Sequence, residues 1–233
     1  MEADSGQDIE LIVMSDHGFA PFRRKMHVND WLVQEGYLVL KEGVEKTSSL
    51  ALDLDEHGQP IPGSGDVDWS KSKAYCVGFN GVILNRVGRE PEGIVTDSEV
   101  DGLLQEITTK LLAMEDGGEP VFTTVVPATE VFHGEQTHLA PDLQLGFNVG
   151  FGASDECAAG AVEGTWLEGV TIVDNDSRWS GSHLMDPELV RGTIISKSGK
   201  AYSKDPALED ITATLYSLFQ VTPPDGMDGK SLY

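Results

Sequence analysis

The sequence predicts an α/β fold built on a parallel or mixed sheet. Short apolar runs, such as 9–14 and 192–196, alternate with segments of helical periodicity, such as 97–114. This alternation is typical of strands that are connected through helices. With 233 residues and 39% hydrophobic content, the chain is large enough to bury a core in one large domain or two small ones.

Each element has its own signal. Apolar residues at three- and four-residue spacing predict a helix over 97–114, and Gly117 and Gly118 mark its end. Two short apolar runs around a Gly/Asn turn predict a hairpin over 74–85. Further strands are predicted at 9–14, 37–41, 120–126, 140–147 and 192–196, and further helices at 28–35 and 210–219.

Two long segments interrupt this pattern. Residues 42–66 are polar, rich in Gly and Pro and weakly periodic, so we expect a surface insertion. With the strand-rich hairpin included, this insertion covers 42–95. Residues 148–182 are Gly-rich and weakly periodic, and an irregular loop of that length is usually functional or disordered.

The charge balance limits the partners. The chain has 39 acidic and 16 basic residues, a formal net charge of -23, which argues against binding a nucleic-acid backbone or an anionic membrane. Solubility is a sufficient explanation of such acidity. A phosphate-containing substrate would have to be attracted locally, and a bound dication provides such attraction.

Targeting and redox signals are sparse. No apolar run approaches the roughly 18 to 20 residues that span a bilayer, and the acidic N-terminus does not resemble a signal peptide. We therefore expect a soluble chain of undetermined compartment. Cys76 and Cys157 are the two cysteines and form no CxxC pair. The first strand begins by residue 9 with almost no lead-in, which suggests a start inside a larger domain.

The motif that carries most chemical information follows the first strand. Asp16 and His17, within Ser-Asp-His-Gly-Phe, place a carboxylate beside an imidazole at a strand end, a ligand pair that suits zinc or manganese. A Ser/Asp turn with a packed histidine is the alternative. His183 precedes a strand, in a polar Gly-containing loop, so we expect the three side chains to meet along one sheet edge. Arg178 and Trp179 are weaker candidates for the edge of a substrate site.

A second Asp-x-x-x-His spacing lies at Asp53 and His57. Gly58 and Pro60 favour a loop there, and we interpret the spacing as a coincidence.

The sequence resembles a known family through a series of motifs that occur in order. The chain looks like the type I phosphodiesterase/nucleotide pyrophosphatase branch of the alkaline phosphatase superfamily, over nearly its entire length. The motifs are Ser-Asp-His-Gly-Phe at 15–19, the segment 23–32, Asp-Trp-Ser at 68–70, Gly-Arg-Glu-Pro at 88–91, Ala-Pro-Asp at 140–142, Trp-Ser-Gly-Ser-His at 179–183 and Met-Asp-Gly at 227–229.

This resemblance implies an alkaline-phosphatase-like fold, with a mixed, mostly parallel sheet flanked by helices and a small strand-rich insertion. It also implies two divalent metal ions, zinc or alternatively manganese or iron, that activate a Thr or Ser nucleophile. Asp16 and His17 would bind the metal that touches the nucleophile, and His183 the metal nearer the leaving group. Many relatives have Asp where this chain has Ser182, which weakens the expected support of His183.

The main departure from the family lies upstream. Relatives carry the nucleophile and further metal ligands before the Asp-His-Gly motif, whereas 15 residues precede Asp16 here. We therefore expect 1–233 to be the C-terminal part of a single, incomplete domain without its own catalytic nucleophile. The leading hypothesis is a phosphoric ester hydrolase acting on a small phosphoester or nucleotide-like substrate. The alternatives are a non-catalytic acidic binding or scaffold domain and a sulfatase, phosphonate hydrolase or phosphomutase relative.

Overall fold

A computed structural model describes residues 9–197 and 205–232. Within these residues the chain divides into a large unit, 19–190, and a small unit formed by residues before 19 and after 190. The strands are β1 (Ile12–Met14), β2 (Ala20–Met26), β3 (Ala74–Cys76), β4 (Gly81–Leu84), β5 (Glu115–Asp116), β6 (Glu119–Pro120), β7 (Phe122–Pro127), β8 (Leu143–Phe147), β9 (Gly150–Ala153), β10 (Ile172–Asp174), β11 (Gly181–Ser182) and β12 (Ile194–Ser196). The helices are α1 (Val28–Gln34), α2 (Asp97–Leu112), α3 (Ala128–Val131), α4 (Asp155–Ala158) and α5 (Glu209–Leu218), with 3-10 turns at Thr137–Leu139, Thr165–Glu168 and Pro187–Leu189.

The sheets of the large unit correct the prediction of a mostly parallel sheet. One four-stranded sheet has the order β10-β2-β11 with β9 beside β2, a second has the order β3-β4-β8-β7, and β5 and β6 form a two-stranded sheet. β2 and β9 are parallel, and the other strand pairs within the described residues are antiparallel. Parallel neighbours need a long crossover connection, whereas the turn 77–80 reverses the chain directly between β3 and β4. The fold is therefore mixed α/β with largely antiparallel sheets.

The long helix was predicted correctly. α2 covers Asp97–Leu112, and the Glu99 carboxylate at its start accepts hydrogen bonds from the N–H and the hydroxyl of Thr96. Leu103, Ile107 and Leu111 are buried on one face of the helix. This four-residue spacing joins α2 to the hydrophobic core that β3, β4, β7 and β8 share.

The segment 148–182 is not the long loop that its composition predicts. It contains β9, α4, β10 and β11. Glycine is favoured in β9 because Gly150 has a φ of +95°, which other residues rarely adopt, and because a Cβ on Gly152 would lie 3.0 Å from the Phe22 ring. The glycines that suggested a loop therefore permit β9 to lie close to the side chains of β2.

The segment 42–66 is irregular, as predicted. Isolated bridges join Leu40 to Val67 and Leu54 to Pro60, and the predicted strand at 37–41 is reduced to the first of these bridges. The hairpin of β3 and β4 pairs with β8 inside the second sheet. The assignment of 42–95 as a surface insertion, and of the whole chain to part of one domain, stays a prediction.

The described part of the small unit contains one strand pair and one helix. β1 and β12 pair antiparallel, with Val13 opposite Ile195. At the other end, the Asp210 carboxylate of α5 accepts hydrogen bonds from the N–H groups of Ala207 and Lys230. These hydrogen bonds lower the pKa of Asp210 and hold the C-terminal tail against α5.

Candidate functional site

The Asp-His turn is anchored by the strand pair of the small unit. Ser15 N–H donates to the Thr193 carbonyl, and Thr193 N–H donates to the Ser15 hydroxyl, both at 2.9 Å. A Cβ on Gly192 would lie 2.8 Å from the Ser15 carbonyl oxygen, so glycine permits this close approach. The N–H and the hydroxyl of Ser15 therefore both bind Thr193 and fix the backbone before Asp16.

Asp16 and His17 direct polar atoms toward one another. His17 Nδ1 lies 2.8 Å from the Gly18 carbonyl oxygen, and because a carbonyl only accepts, Nδ1 carries the proton. In the neutral ring the lone pair is then on Nε2, which lies 3.4 Å from Asp16 Oδ2. The two side chains are 34% and 69% exposed, so an ion can reach them from solvent.

This geometry fits two ligands of one metal ion. Zinc lies about 2.0 to 2.2 Å from nitrogen and oxygen ligands, which places two tetrahedral ligands roughly 3.4 Å apart. The hydrogen bond from Nδ1 to a backbone carbonyl is the contact that fixes the tautomer of metal-binding histidines. An imidazolium–carboxylate ion pair has the same separation, so a metal titration is needed to distinguish the two states.

The predicted meeting of Asp16, His17 and His183 stays a prediction. Across 9–197 and 205–232, no three His, Cys, Asp or Glu side chains form a group that could hold a metal ion. At the second spacing, Asp55 Oδ1 accepts the N–H of His57 at 2.8 Å, and the side chain of His57 is 77% exposed. That segment forms a turn, as predicted.

His183 follows β11, which pairs with the first residues of β2. Its ring packs against Phe19 with the ring centroids 5.9 Å apart. The Ser182 hydroxyl accepts the N–H of Leu184 at 3.1 Å, so Ser182 shapes the backbone on both sides of the histidine. A Cβ on Gly181 would lie 2.7 Å from the Phe19 ring, and this tight packing positions Phe19 against β11.

A cavity of about 270 Å³ in the large unit includes His183 in its lining. Four of the lining side chains are aromatic, and Asp155 supplies a carboxylate. Of the four aromatic residues, the sequence analysis named only Trp179 as a site candidate. An aromatic residue in the predicted hairpin turn, Phe79, was an available signal. The aromatic lining residues are Phe19, Phe22, Phe79 and Trp179.

The loop before β11 holds Arg178 and Trp179 at the surface. Asn175 Nδ2 donates to the Trp179 carbonyl at 2.6 Å and to the Phe22 carbonyl at 3.0 Å, which ties the loop to β2. The guanidinium carbon of Arg178 lies 4.8 Å from the centre of the Trp179 ring, and the indole is 60% exposed. This arrangement presents a cation and an aromatic surface together.

A family model described as type I phosphodiesterase / nucleotide pyrophosphatase matches residues 2–154. The chain belongs to this family. The match includes Asp16 and His17 and ends before His183. No curated protein and no solved structure matched the chain. In the described part of the chain, no helix is both long and apolar enough to cross a membrane.

Two of the motifs that carry the family resemblance form a structural network. Arg89, of Gly-Arg-Glu-Pro, makes two hydrogen bonds with Asp142, of Ala-Pro-Asp, at 2.6 and 3.1 Å. Asp142 Oδ2 also accepts the N–H of Leu84 at 2.7 Å, and Arg89 donates to the Leu84 carbonyl at 2.7 Å. These residues join the end of β4 to the segment before β8.

Proposed function

We propose that this chain acts in metal-dependent hydrolysis of phosphoric esters, of the phosphodiesterase or nucleotide pyrophosphatase type. Asp16 and His17 bind one divalent metal ion, and His183 binds a second. Membership of the family supports the reaction class. The observation that carries the ligand assignment is the 3.4 Å separation of His17 Nε2 and Asp16 Oδ2, together with the hydrogen bond that sets the His17 tautomer.

The residues of this chain orient the ligands. Gly18 holds the proton of His17 on Nδ1 and keeps Nε2 as the coordinating atom. The Asp16 carboxylate places a negative charge beside His17 Nε2, which favours the binding of a dication over that of a neutral molecule. When bound, zinc, manganese or iron activates a hydroxyl nucleophile and neutralises charge on the phosphoryl oxygens. The Thr or Ser nucleophile stays a prediction for the segment upstream of Asp16, and no residue described here is assigned that role.

The cavity beside His183 suits the leaving group of a small phosphoester. Its aromatic lining favours a flat apolar group, such as a nucleobase or an aryl group. Arg178, held over Trp179, places a positive charge near the edge of this cavity. A local cation of this kind favours an anionic substrate in a chain whose net charge is -23.

A second candidate function is a non-catalytic domain that keeps the family fold and binds a partner. It is favoured by the absence of a three-residue ligand group within the described residues. This candidate predicts no turnover under any metal condition, even when the segment upstream of Asp16 is included.

Hydrolysis of bis(p-nitrophenyl) phosphate tests the proposal. Wild-type protein is assayed after chelation and after addition of zinc or manganese, in parallel with His17→Ala, His183→Ala and His57→Ala. His57 is the matched control because it also lies beside a carboxylate, 3.5 Å from Glu56. Because the nucleophile is predicted upstream of Asp16, the protein that is assayed includes that upstream segment. We then expect metal-dependent turnover that falls more than about tenfold in the first two variants and is unchanged in the third.

Equal turnover in wild type and His17→Ala would contradict the proposal. Absence of turnover in wild type, with every metal tested, would favour the binding domain. Faster hydrolysis of p-nitrophenyl sulfate than of the phosphodiester would instead favour a sulfatase relative.

A further inference from the structure

The large unit contains another cavity, of about 410 Å³, here named the Trp69 pocket. Its walls come from the irregular segment 49–60, Trp69, the hairpin, the loop after β4 and residues 159–160. Cavities of this volume are the size of small-molecule sites. It shares no lining residue with the cavity beside His183, and the hairpin turn supplies Val77 to the Trp69 pocket and Phe79 to the other.

The Trp69 pocket presents aromatic and aliphatic surface to solvent. The rings of Trp69 and Tyr75 meet edge to face, with centroids 5.2 Å apart and planes at 81°. Leu54 and Val77 line the pocket while 61% and 46% exposed. Exposed apolar side chains that line a concavity are typical of a ligand site, because burying them against a ligand removes them from water.

The ionisable side chains of the Trp69 pocket are acidic or neutral. Its lining includes Glu90 and Glu92 and no Lys, Arg or His. Burial of the Tyr75 phenol, with Glu90 beside it, raises the pKa of Tyr75 to about 12, so the phenol is uncharged at neutral pH. An anionic ligand therefore meets no compensating charge in this lining.

Of the two carboxylates in the pocket lining, Glu90 has a basic partner, whereas Glu92 forms no ion pair among the described residues. Glu90 is paired with Arg89 Nε at 2.7 Å. Glu92 accepts the N–H of Gly63 at 3.1 Å and has no ion pair with the basic side chains of the described residues. Lys41 is bonded to the carbonyls of Gly63 and Gly65 instead. The carboxylate of Glu92 is thus available to a cationic ligand.

We propose that the Trp69 pocket binds a small organic cation with a flat apolar body. The apolar body packs against Trp69 and Leu54, and the cationic group interacts with Glu92 and with the aromatic faces. Attraction between a cation and an aromatic ring, added to a carboxylate partner, favours a cation over a neutral molecule of the same shape. This binding needs no metal ion and no turnover, so it is independent of the proposed hydrolase function.

Three indole compounds of nearly equal size test the charge preference. Tryptamine is cationic, tryptophol is neutral and indole-3-acetate is anionic at neutral pH. Isothermal titration of the full chain with each compound, in the presence of a chelator, gives their affinities. We expect tryptamine to bind about three- to tenfold more tightly than tryptophol, which corresponds to roughly 0.7–1.4 kcal/mol, and indole-3-acetate to bind most weakly.

Variants locate the site. Glu92→Gln keeps the acceptor for Gly63 and removes the charge, so tryptamine should then bind no more tightly than tryptophol. Glu119→Gln, on β6, is the charge control. Leu54→Ala should weaken both compounds, whereas Leu139→Ala, at a leucine that is 73% exposed, should not. Trp179→Ala should leave tryptamine binding unchanged, since Trp179 lines the other cavity.

Three outcomes would overturn the proposal. These are no tryptamine binding at millimolar concentration, equal affinity for the cationic and anionic compounds, or unchanged tryptamine affinity in Glu92→Gln. Circular dichroism of each variant confirms that it is folded. Because Leu54 is largely exposed and Gln is isosteric with Glu, neither substitution removes a core contact.

Discussion

Replacing Asn29 by alanine should destabilise the large unit strongly, because one buried side chain joins three backbone groups. Asn29 is fully buried. Its Nδ2 donates to the carbonyls of Cys76 and Ala161 at 2.9 and 3.1 Å, and its Oδ1 accepts the N–H of Cys76 at 2.8 Å. These contacts join α1 to the end of β3 and to the segment after α4. A typical net contribution is about 1 kcal/mol per hydrogen bond, so the expected loss is about 3 kcal/mol.

Equilibrium unfolding in urea, followed by circular dichroism, measures this loss. Asn80→Ala is the matched control, because the Asn80 side chain makes one hydrogen bond, to the Leu145 carbonyl at 2.8 Å. We expect it to cost about 1 kcal/mol. If the two variants differ by less than about 0.5 kcal/mol, counting hydrogen bonds to buried backbone groups does not explain the stability of this region.

The remaining predictions concern thiols, a phenol and the motif network. The hydrogen bond with Cys157, together with burial, raises the pKa of the Cys76 thiol, and both cysteines are buried and free. We therefore expect neither cysteine to react with a disulfide reagent in the native protein and both to react in urea. Fast native labelling would contradict this. The pKa of Tyr75 is raised to about 12 in the folded protein, so as pH rises the unfolded chain loses the phenolic proton before the folded one does. The stability contributed by Tyr75 is therefore complete below about pH 10 and is lost as pH rises toward 12. Tyr75→Phe should remove this part of the pH dependence, and an identical pH profile in wild type and variant would refute it. Arg89→Ala removes the hydrogen-bonded guanidinium from the Asp142 carboxylate, which is 7% exposed, and leaves Arg86 at 3.7 Å; it should cost about 2 kcal/mol in urea unfolding. Asp142→Asn should then lower the free energy of unfolding less in the Arg89→Ala variant than in wild type. Strictly additive losses would show that the two residues do not interact.

Elements with a strong local signal were predicted from the sequence. The apolar spacing of α2 and the turn between β3 and β4 each depend on neighbouring residues alone, and the structure confirms both. The Asp16-His17 turn was also recognisable, because two ligand-type residues directly follow an apolar run. Its role as a metal-ligand pair stays a prediction, because it rests on residue types.

Features that depend on distant contacts were not predictable in this way. Apolar runs indicate strands but not their direction, so the largely antiparallel pairing was missed. The glycines of β9 have the composition of a loop, and their role becomes clear only when Arg23 and Phe22 of β2 are beside them. The aromatic lining near His183 comes from three separate segments, and no spacing rule brings Phe22 and Phe79 together.

Zinc binding by the Asp16-His17 pair tests the central claim most directly. Metal-free wild type, His17→Ala and Asp16→Asn are titrated with zinc against a chromophoric chelator, with His57→Ala as the control for a histidine beside a carboxylate. We predict that the first two variants bind zinc at least about tenfold more weakly than wild type and that His57→Ala binds it equally well. Equal zinc affinity in wild type and His17→Ala would contradict the account and would show that His17 Nε2, 3.4 Å from Asp16 Oδ2, is not a zinc ligand.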